Sequence, residues 1–420
     1  MMKLNRRQVL MSGAAMAAMA APFGRMASAQ SGEVVIGLVY PMSGSNAQIG
    51  VDAKHAFETA ADIINTDFDL PLPGAKGAGL ASLGGAKLRL VFADHQGDPQ
   101  KGRAEAERLM TQDKVSAIIG AFHSSVSNTI SAATERYGIP YVAADSSSPS
   151  LHRRNLKFFF RPAAHDEMFS KTMFDFMDAQ KKKGKKIETV ALFHEDTIFG
   201  TDSSNVQKKL AEERGYKIAA DVKYRANSPS LTAEVQQLKS ADADVLLPSS
   251  YTTDAILLVN TMAELGYKPK NIIAQAAGFS EKTVFDQVGS KIIGLISRAS
   301  FSLDLAAKRP FIATVNEMFK KRSGRDLNDN TSRQFMSLLI LADAIDRAKS
   351  IEGEKISEAL AATNIPGEST IMPWQAVKFG PDGQNDVADP VLLQYAGENQ
   401  FKTIFPETVA VGGPIWPMNA

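Results

Sequence analysis

Residues 115–145 read VSAIIGAFHSSVSNTISAATERYGIPYVAAD, which is an apolar run, a hydroxyl-rich turn, an amphipathic segment and a second apolar run. Short apolar runs bounded by turn residues are typical of buried strands. The stretch therefore predicts strands at 115–122 and 138–145, with a helix between them that ends at Tyr137. Two strands joined through one helix form the repeating unit of a parallel sheet.

The same alternation of strand and helix extends to both sides of this stretch. Upstream it predicts strands at 33–40 and 86–94 and helices at 47–65 and 99–112. The order β-α-β-α-β-α-β implies a parallel sheet covered by helices on both faces.

The pattern then restarts after residue 158 and predicts a second α/β unit of similar size. The predicted helices and strands of this unit are 165–180, 188–195, 200–214, 216–224, 231–239, 243–250, 252–265 and 271–276. A C-terminal portion follows, with a strand at 292–301, helices near 309–322, 332–349 and 353–362, and hairpin strands around Pro381. Two similar units with a shared C-terminal portion predict two lobes, with the chain crossing between them several times.

The composition excludes some classes of partner. The chain has 420 residues, of which 44% are hydrophobic, and a formal net charge of +1. This balance provides no basic field for nucleic acid and no acidic tail. The cysteine count is zero, so no disulfide and no lipid anchor on an N-terminal cysteine are expected.

The N-terminus has the pattern of an export signal. Arg6 and Arg7 precede an uncharged run from Val9 to Ala21, and the small residues 27–29 provide a cleavage site. We predict a signal peptide over 1–29 with twin-arginine character, although the Sec route stays open. The apolar run is too short to span a membrane. The mature chain is therefore expected to be soluble in the periplasm.

Hydroxyl-rich turns follow several predicted strands. Ligands of open parallel sheets bind at the carboxyl ends of the strands, where helix starts present unpaired N–H groups. The candidate ligand-binding residues at the strand ends of the first unit are Ser43, Gly44, Ser124, Ser125, Ser146 and Ser147. Such turns can cradle an anion, whereas a histidine beside serines can also indicate a nucleophile and its base.

Catalytic and metal-binding patterns are absent from the sequence. It contains no G-x-S-x-G, no P-loop and no H-x-x-x-H spacing. His123 directly precedes Ser124, and chain neighbours seldom form a nucleophile–base pair. His194 with Glu195 and Asp196 is interpreted as a solvated loop or hinge contact. We therefore expect a protein that is not an enzyme and that has no cofactor and no metal.

The order of these motifs resembles the branched-chain amino-acid-binding family of type I periplasmic receptors, the solute-binding proteins of ABC importers. The similarity covers roughly residues 33 to 395. It is carried by the opening strand, Ser-Gly loop and helix at 34–65, by VFADHQGDP at 91–99, by the two turns within 118–151 and by VALFHEDTIFG at 190–200.

The resemblance implies a role for particular residues. Ser124 falls where a hydroxyl and a backbone amide hold the ligand carboxylate, and Ser146 and Ser147 fall where backbone groups and a hydroxyl grip the ligand. Ile49, Phe199 and Tyr251 match pocket positions that are commonly aromatic. The family's ammonium-pairing Glu is replaced by Ala276 or Ala277, so Glu195, Asp254 or Glu281 would have to substitute, or the ligand is not an α-amino acid.

The resemblance also implies the architecture, which is an α/β fold of two Rossmann-like parallel-sheet lobes joined by a multi-strand hinge. The first lobe is expected to comprise 30–161 and 300–370, and the second 162–299 and 371–395, followed by an extension over 396–420. The implied function is that of a monomeric receptor that delivers a small carboxylate-bearing ligand to a membrane permease. A sensor of the same fold and, less favoured, an exported α/β hydrolase are the alternatives.

Overall fold

A computed structural model describes residues 32–276, 278–397 and 400–418. The predicted signal peptide and Ala277 lie outside the described residues. Apolar runs such as EVVIGLVY form buried strands, and Gly138, in the left-handed conformation at φ 64°, ends the helix that follows the quoted turn. The α/β fold class predicted from the sequence is confirmed.

The first lobe contains a five-stranded parallel sheet in the order β2-β1-β3-β4-β5. Its elements up to the first crossing are β1 (Glu33–Tyr40), α1 (Ala47–Asn65), β2 (Lys87–Asp94), α2 (Pro99–Thr111), β3 (Ala117–Gly120), α3 (Ser124–Tyr137), β4 (Tyr141–Ala143) and β5 (Phe159–Phe160).

The second lobe repeats the alternation of strand and helix. Its elements are α4 (Asp166–Lys182), β6 (Thr189–Glu195), α5 (Ile198–Glu213), β7 (Lys217–Tyr224), α6 (Thr232–Ala241), β8 (Val245–Ser249), α7 (Thr252–Glu264), β9 (Ile273–Ala274), α8 (Lys282–Val288) and β10 (Ile296–Ala299). The strands β7-β6-β8 form one parallel group, and a bridge from Leu246 to Ile272 joins it to the edge of the group that contains β9 and β10.

The chain returns to the first lobe before it completes the second sheet. The elements of this return are α9 (Phe311–Ser323), α10 (Asp329–Ala348), α11 (Gly353–Ala361), β11 (Ile365–Pro366) and β12 (Ala376–Val377), and those of the second sheet are β13 (Val391–Gly397) and β14 (Gln400–Phe405). β13 is antiparallel to both β10 and β14.

The third crossing requires a correction of the predicted lobe boundaries. Ile371, Trp374 and Phe379 pack in the first-lobe core, and the chain joins the second sheet only at β13. Residues 371–388 therefore belong with the first lobe, because their apolar side chains are buried there. The predicted tight turn at Pro381 is present, since Gly380 N–H donates to the Gln384 carbonyl at 2.8 Å, but β13 pairs with β10 instead of closing a hairpin across that turn.

The hinge segment of the first crossing, at Arg161 and Pro162, lies beside the segment that leads to the last crossing. Arg161 N–H donates to the Gly383 carbonyl at 2.8 Å, and the Asn385 side chain donates to the Pro162 carbonyl at 2.9 Å. The described residues of the predicted extension over 396–420 also pack on the second lobe, because β14 continues its sheet and Trp416 contacts Phe176 at 5.6 Å between ring centroids. Within the described residues, no helix is long and apolar enough to cross a membrane.

Candidate functional site

Ser124 begins α3 at the carboxyl end of β3. The residue is 1% exposed, and its hydroxyl has no hydrogen-bond partner among the described residues. The N–H groups of Val126 and Ser127 donate to the His123 carbonyl at 3.1 and 3.0 Å. The start of α3 therefore presents a buried serine hydroxyl at the positive end of the helix dipole.

Tyr251, from the second lobe, faces this helix start. Its ring centroid lies 4.7 Å from that of His123, 5.3 Å from that of Phe122 and 5.2 Å from that of Phe199. Burial and the charge of Glu195 raise the pKa of Tyr251 well above its usual value. The backbone N–H of Ser124 has the smaller, opposite effect of lowering this pKa. The phenol is thus a neutral group enclosed by side chains from both lobes.

The start of α3 and Tyr251 lie in a cleft between the two lobes, and hydrogen bonds on one side of this cleft join the lobes. The Ser45 hydroxyl donates to Asn227 Oδ1 at 3.1 Å, and the Thr253 hydroxyl donates to the Ser45 carbonyl at 3.1 Å. The other flank is joined by the Ser148 hydroxyl, which donates to Asp202 in the second lobe. The cleft is therefore closed.

The polar groups of the turn after β4 form hydrogen bonds with other groups of the protein. The Ser146 hydroxyl lies 2.5 Å from that of Ser127 and donates to the Phe122 carbonyl at 3.1 Å. The Ser147 carbonyl accepts from the backbone N–H of Asp166 at 2.8 Å. Arg161, which is fully buried, donates to the Ser146 and Ser148 carbonyls at 3.1 and 2.8 Å. In this closed conformation, these groups support the turn.

The remaining predicted site residues lie around the cleft. The Ser43 hydroxyl donates to Asp94 at 2.5 Å, and Gly44 adopts a left-handed φ of 84° in the same loop. Ile49 is buried in the first-lobe core, and Ser125 is partly exposed in the first turn of α3. Ala276 is fully buried with a φ of 53°.

Gly200 explains why an F-G turn opens α5. A Cβ atom at this position would lie 2.2 Å from the Glu195 carbonyl oxygen, so only glycine lets the helix pack against the end of β6. This close approach fixes Phe199 beside Tyr251.

His123 is a neutral side chain in this environment. Burial, with a smaller effect of neighbouring His95, lowers the pKa of His123 to about 3. Its Nε2 atom lies 3.1 Å from the Asn46 amide nitrogen. The hydroxyl of Ser124 is not hydrogen-bonded to it, so the nucleophile–base pair suggested by the sequence is not formed here.

The three acids considered as partners for a ligand ammonium differ in their availability. The carboxylate of Glu195 accepts from the Gly200 N–H and the Thr197 hydroxyl, each at 2.7 Å, so it caps α5. Glu281 accepts from Asn328 at 3.2 Å and from Asn330, and burial raises its pKa to about 8. Asp254 keeps one buried oxygen without a partner among the described residues.

A buried ionic cluster near the hinge was missed at the sequence level. Asp329, at the start of α10, accepts from Arg298 at 3.1 Å and from Arg333 at 2.8 Å. Arg298 also lies 3.8 Å above the Phe169 ring, and Arg333 donates to the Asp145 carbonyl at 2.7 Å. No local motif marks these arginines, because each stands inside a regular element and its partners are distant in sequence.

A separate cavity of about 650 Å³ lies beside the hinge. Its lining includes Asp52 and Arg325 of the first lobe, Phe301 of the hinge region, Phe401 of β14 and Gly412 of the tail. None of the predicted ligand-binding residues lines it. Among the described residues, no group of histidine and acidic side chains is arranged to hold a metal ion.

Comparisons with known proteins agree with this architecture. The model of a family described as periplasmic binding protein matches residues 33–395. The Leu/Ile/Val-binding protein homolog 7 of Brucella suis biovar 1 (strain 1330) is 26% identical over 421 residues, which cover 97% of this chain and 98% of the relative.

Two solved structures share the fold. The branched-chain amino acid transporter substrate-binding protein LivJ of Streptococcus pneumoniae, in complex with isoleucine, has a TM-score of 0.72 at 18% identity, covering 89% of this chain and 100% of that chain. A solute-binding protein of an ABC transporter from Rhodopseudomonas palustris BisB5, in complex with 3,4-dihydroxybenzoic acid, has a TM-score of 0.70 at 16% identity, covering 86% and 93%.

Proposed function

Because the chain belongs to the periplasmic binding protein family, we propose that it is an extracytoplasmic receptor for a small carboxylate-bearing ligand. The ligand is an amino acid or a related amide or organic acid, and the receptor delivers it to the permease of an ABC transporter. The observation that supports this most is the buried Ser124 hydroxyl at the start of α3, opposite Tyr251 of the other lobe.

The start of α3 suits a carboxylate without any arginine. Unpaired backbone N–H groups and the positive end of the helix dipole stabilise an anion there, and a charge-assisted hydrogen bond from Ser124 adds to that. In this proposal Ser124 and the first backbone N–H groups of α3 bind the carboxylate. Tyr251 and Phe199 close over the rest of the ligand from the second lobe.

Closure of the hinge couples binding to delivery. A ligand that contacts both lobes binds the closed form more tightly than the open form, and it therefore shifts the population towards closure. The hydrogen bonds of Ser45 and Ser148 across the cleft join the two lobes in this closed form. The closed form then docks on the permease, and a separate ATPase supplies the energy for transport.

The ligands of two similar structures indicate the range of ligand chemistry. One structure holds isoleucine and the other 3,4-dihydroxybenzoic acid, and both ligands carry a carboxylate. The carboxylate of Glu195 already accepts a hydrogen bond from the Gly200 N–H, and position 276 is a buried alanine. Both observations argue against a standard site for an α-ammonium group in this chain.

The cellular context follows from the family and from the N-terminal pattern. We propose export to the periplasm with cleavage near Ala29, and action as a monomer that is not an enzyme and that uses no cofactor. Ser124 is a ligand contact in this account, so turnover of an ester that Ser124→Ala abolished would contradict it.

A thermal-shift screen of amino acids, amides and organic acids tests the proposal. A ligand that binds the folded state raises the melting temperature by mass action, by RT ln(1 + [L]/Kd) in free energy. We expect at least one small carboxylate to raise it, and the corresponding neutral methyl ester to leave it unchanged. A screen in which esters and carboxylates act equally would refute the carboxylate site.

A further inference from the structure

Unpaired polar atoms are concentrated where the two lobes meet. On the first-lobe face these atoms are Asn46 Oδ1, His123 Nδ1 and Ser124 Oγ, and on the second-lobe face they include Ser249 Oγ, Thr252 Oγ1 and Asp254 Oδ1. Each of these side chains is at most 7% exposed, and none of the six atoms has a hydrogen-bond partner among the described residues.

The two faces are adjacent in space. The Tyr251 ring, between Ser249 and Thr252 in sequence, packs at 4.7 Å on His123. The next residue, Thr253, donates a hydrogen bond to the Ser45 carbonyl, one residue before Asn46. The unpaired atoms therefore belong to one region around Tyr251.

The hydrogen bonds formed by neighbouring atoms determine which of the unpaired atoms are donors and which are acceptors. The Asn46 amide nitrogen donates to His123 Nε2 at 3.1 Å, so the neutral imidazole carries its proton on Nδ1. The first face thus presents an N–H donor at His123, an acceptor at Asn46 and a hydroxyl at Ser124. The second face presents hydroxyls at Ser249 and Thr252 and an acceptor at Asp254, whose other oxygen accepts from the Asn227 N–H at 3.2 Å.

We propose that the ligand is a small carboxylate whose remaining part carries hydroxyl or carboxamide groups and is not a plain hydrocarbon chain. This inference rests on the proposed function. The carboxylate pairs with Ser124, and the polar groups of the ligand pair with donors and acceptors of both faces.

The physical reason is the cost of unpaired buried polar groups. A hydrocarbon chain beyond the carboxylate shields the atoms other than Ser124 Oγ from water and offers them no hydrogen bond, so the closed complex would keep those atoms unpaired. A site built to hydrogen-bond a polar group discriminates strongly against an isostere that lacks it, for the same reason.

Isosteric pairs of ligands provide the test. Calorimetry would compare succinamate with 4-methylpentanoate, asparagine with leucine, and threonine with valine, because the members of each pair have similar shapes. We expect the polar member to bind at least about tenfold more tightly in every pair that binds. Equal or tighter binding of the apolar members would overturn the inference and leave the proposed function standing.

An isosteric variant locates the effect. Thr252→Val removes one hydroxyl without a change of shape, and it should weaken the polar member of a binding pair about tenfold and leave the apolar member unchanged. The control is Thr172→Val, since the Thr172 hydroxyl bonds to the Met168 carbonyl of its own helix at 3.1 Å. If Thr252→Val weakens both members equally, the inference fails. If no carboxylate binds the wild type at all, the proposed function fails and the inference fails with it.

Discussion

The turn after β3 and the turn after β4 lie side by side at one edge of the first sheet, and both are rich in serine. In the first, Ser124 keeps a buried hydroxyl without a partner among the described residues. In the second, Ser146 bonds to Ser127 and to the Phe122 carbonyl, and Arg161 binds the carbonyls of Ser146 and Ser148. The comparison separates a turn that supports the fold from a turn with capacity left for a ligand.

Of the substitutions that test the difference between the two turns, Arg161→Met should have the largest effect, which is on the free energy of unfolding. The substitution leaves the carbonyls of Ser146 and Ser148 buried without their donor, and each such group costs about 1–3 kcal/mol. We expect the free energy of unfolding in urea to fall by about 3 kcal/mol or more. Arg153→Met is the matched control, because Arg153 is exposed and pairs with Glu167 at the surface, so a loss below about 1 kcal/mol is expected. Equal losses in the two variants would mean that the second turn does not depend on Arg161.

Ser146→Ala should reduce stability and spare binding. The buried hydroxyl has partners on both sides, so its loss should lower the free energy of unfolding by about 1–2 kcal/mol. Ligand affinity, measured by calorimetry, should stay within about twofold of the wild type. A stable variant with a large loss of affinity would assign Ser146 to the ligand and remove the distinction between the turns.

Ser124→Ala should show the opposite pattern. Its hydroxyl makes no hydrogen bond among the described residues, so the free energy of unfolding should change by less than about 0.5 kcal/mol. Ligand affinity should fall about tenfold, which corresponds to roughly 1.4 kcal/mol. Urea denaturation and calorimetry on the same preparation measure the two effects. A large loss of stability with unchanged affinity would contradict the role of Ser124 as a ligand contact.

The smallest expected effect concerns pH. The folded-state pKa of His123 is lowered to about 3, so the imidazole is neutral throughout the range from pH 5 to 8. The ratio of wild-type to His123→Phe ligand affinities should therefore stay constant over that range, whatever other groups titrate. A ratio that changes around pH 6.5 would show that His123 ionises with its ordinary pKa in the receptor.

The lobes could be predicted from the sequence because their signals are local. Alternating apolar runs and amphipathic segments predicted β1 to β4 and most second-lobe elements close to their observed bounds. The third crossing was misplaced, because whether residues 371–388 pack on one lobe or the other depends on long-range contacts. The partner of β13 was missed for the same reason, since strand pairing with β10 has no local signature.

The site could be predicted only in part. The rule that ligands bind at the carboxyl ends of strands directed attention to Ser124, and the family resemblance directed attention to Tyr251 and Phe199; the structure brings these three residues together. The same rule gave Ser146 equal weight, because the sequence carries no sign that Arg161, fifteen residues later, occupies its carbonyl. The unpaired atoms of Asn46 and Asp254 emerge only when the hydrogen bonds of the fold are known.

The most direct test of the account is calorimetry on the double variant Ser124→Ala with Tyr251→Ala, using a carboxylate identified by the thermal-shift screen. The variant removes one cleft contact from each lobe, and circular dichroism would verify that it stays folded. We expect affinity to fall by about 100-fold, or roughly 2.7 kcal/mol, relative to the wild type. Unchanged affinity in a folded double variant would contradict the claim that the ligand lies between the start of α3 and Tyr251.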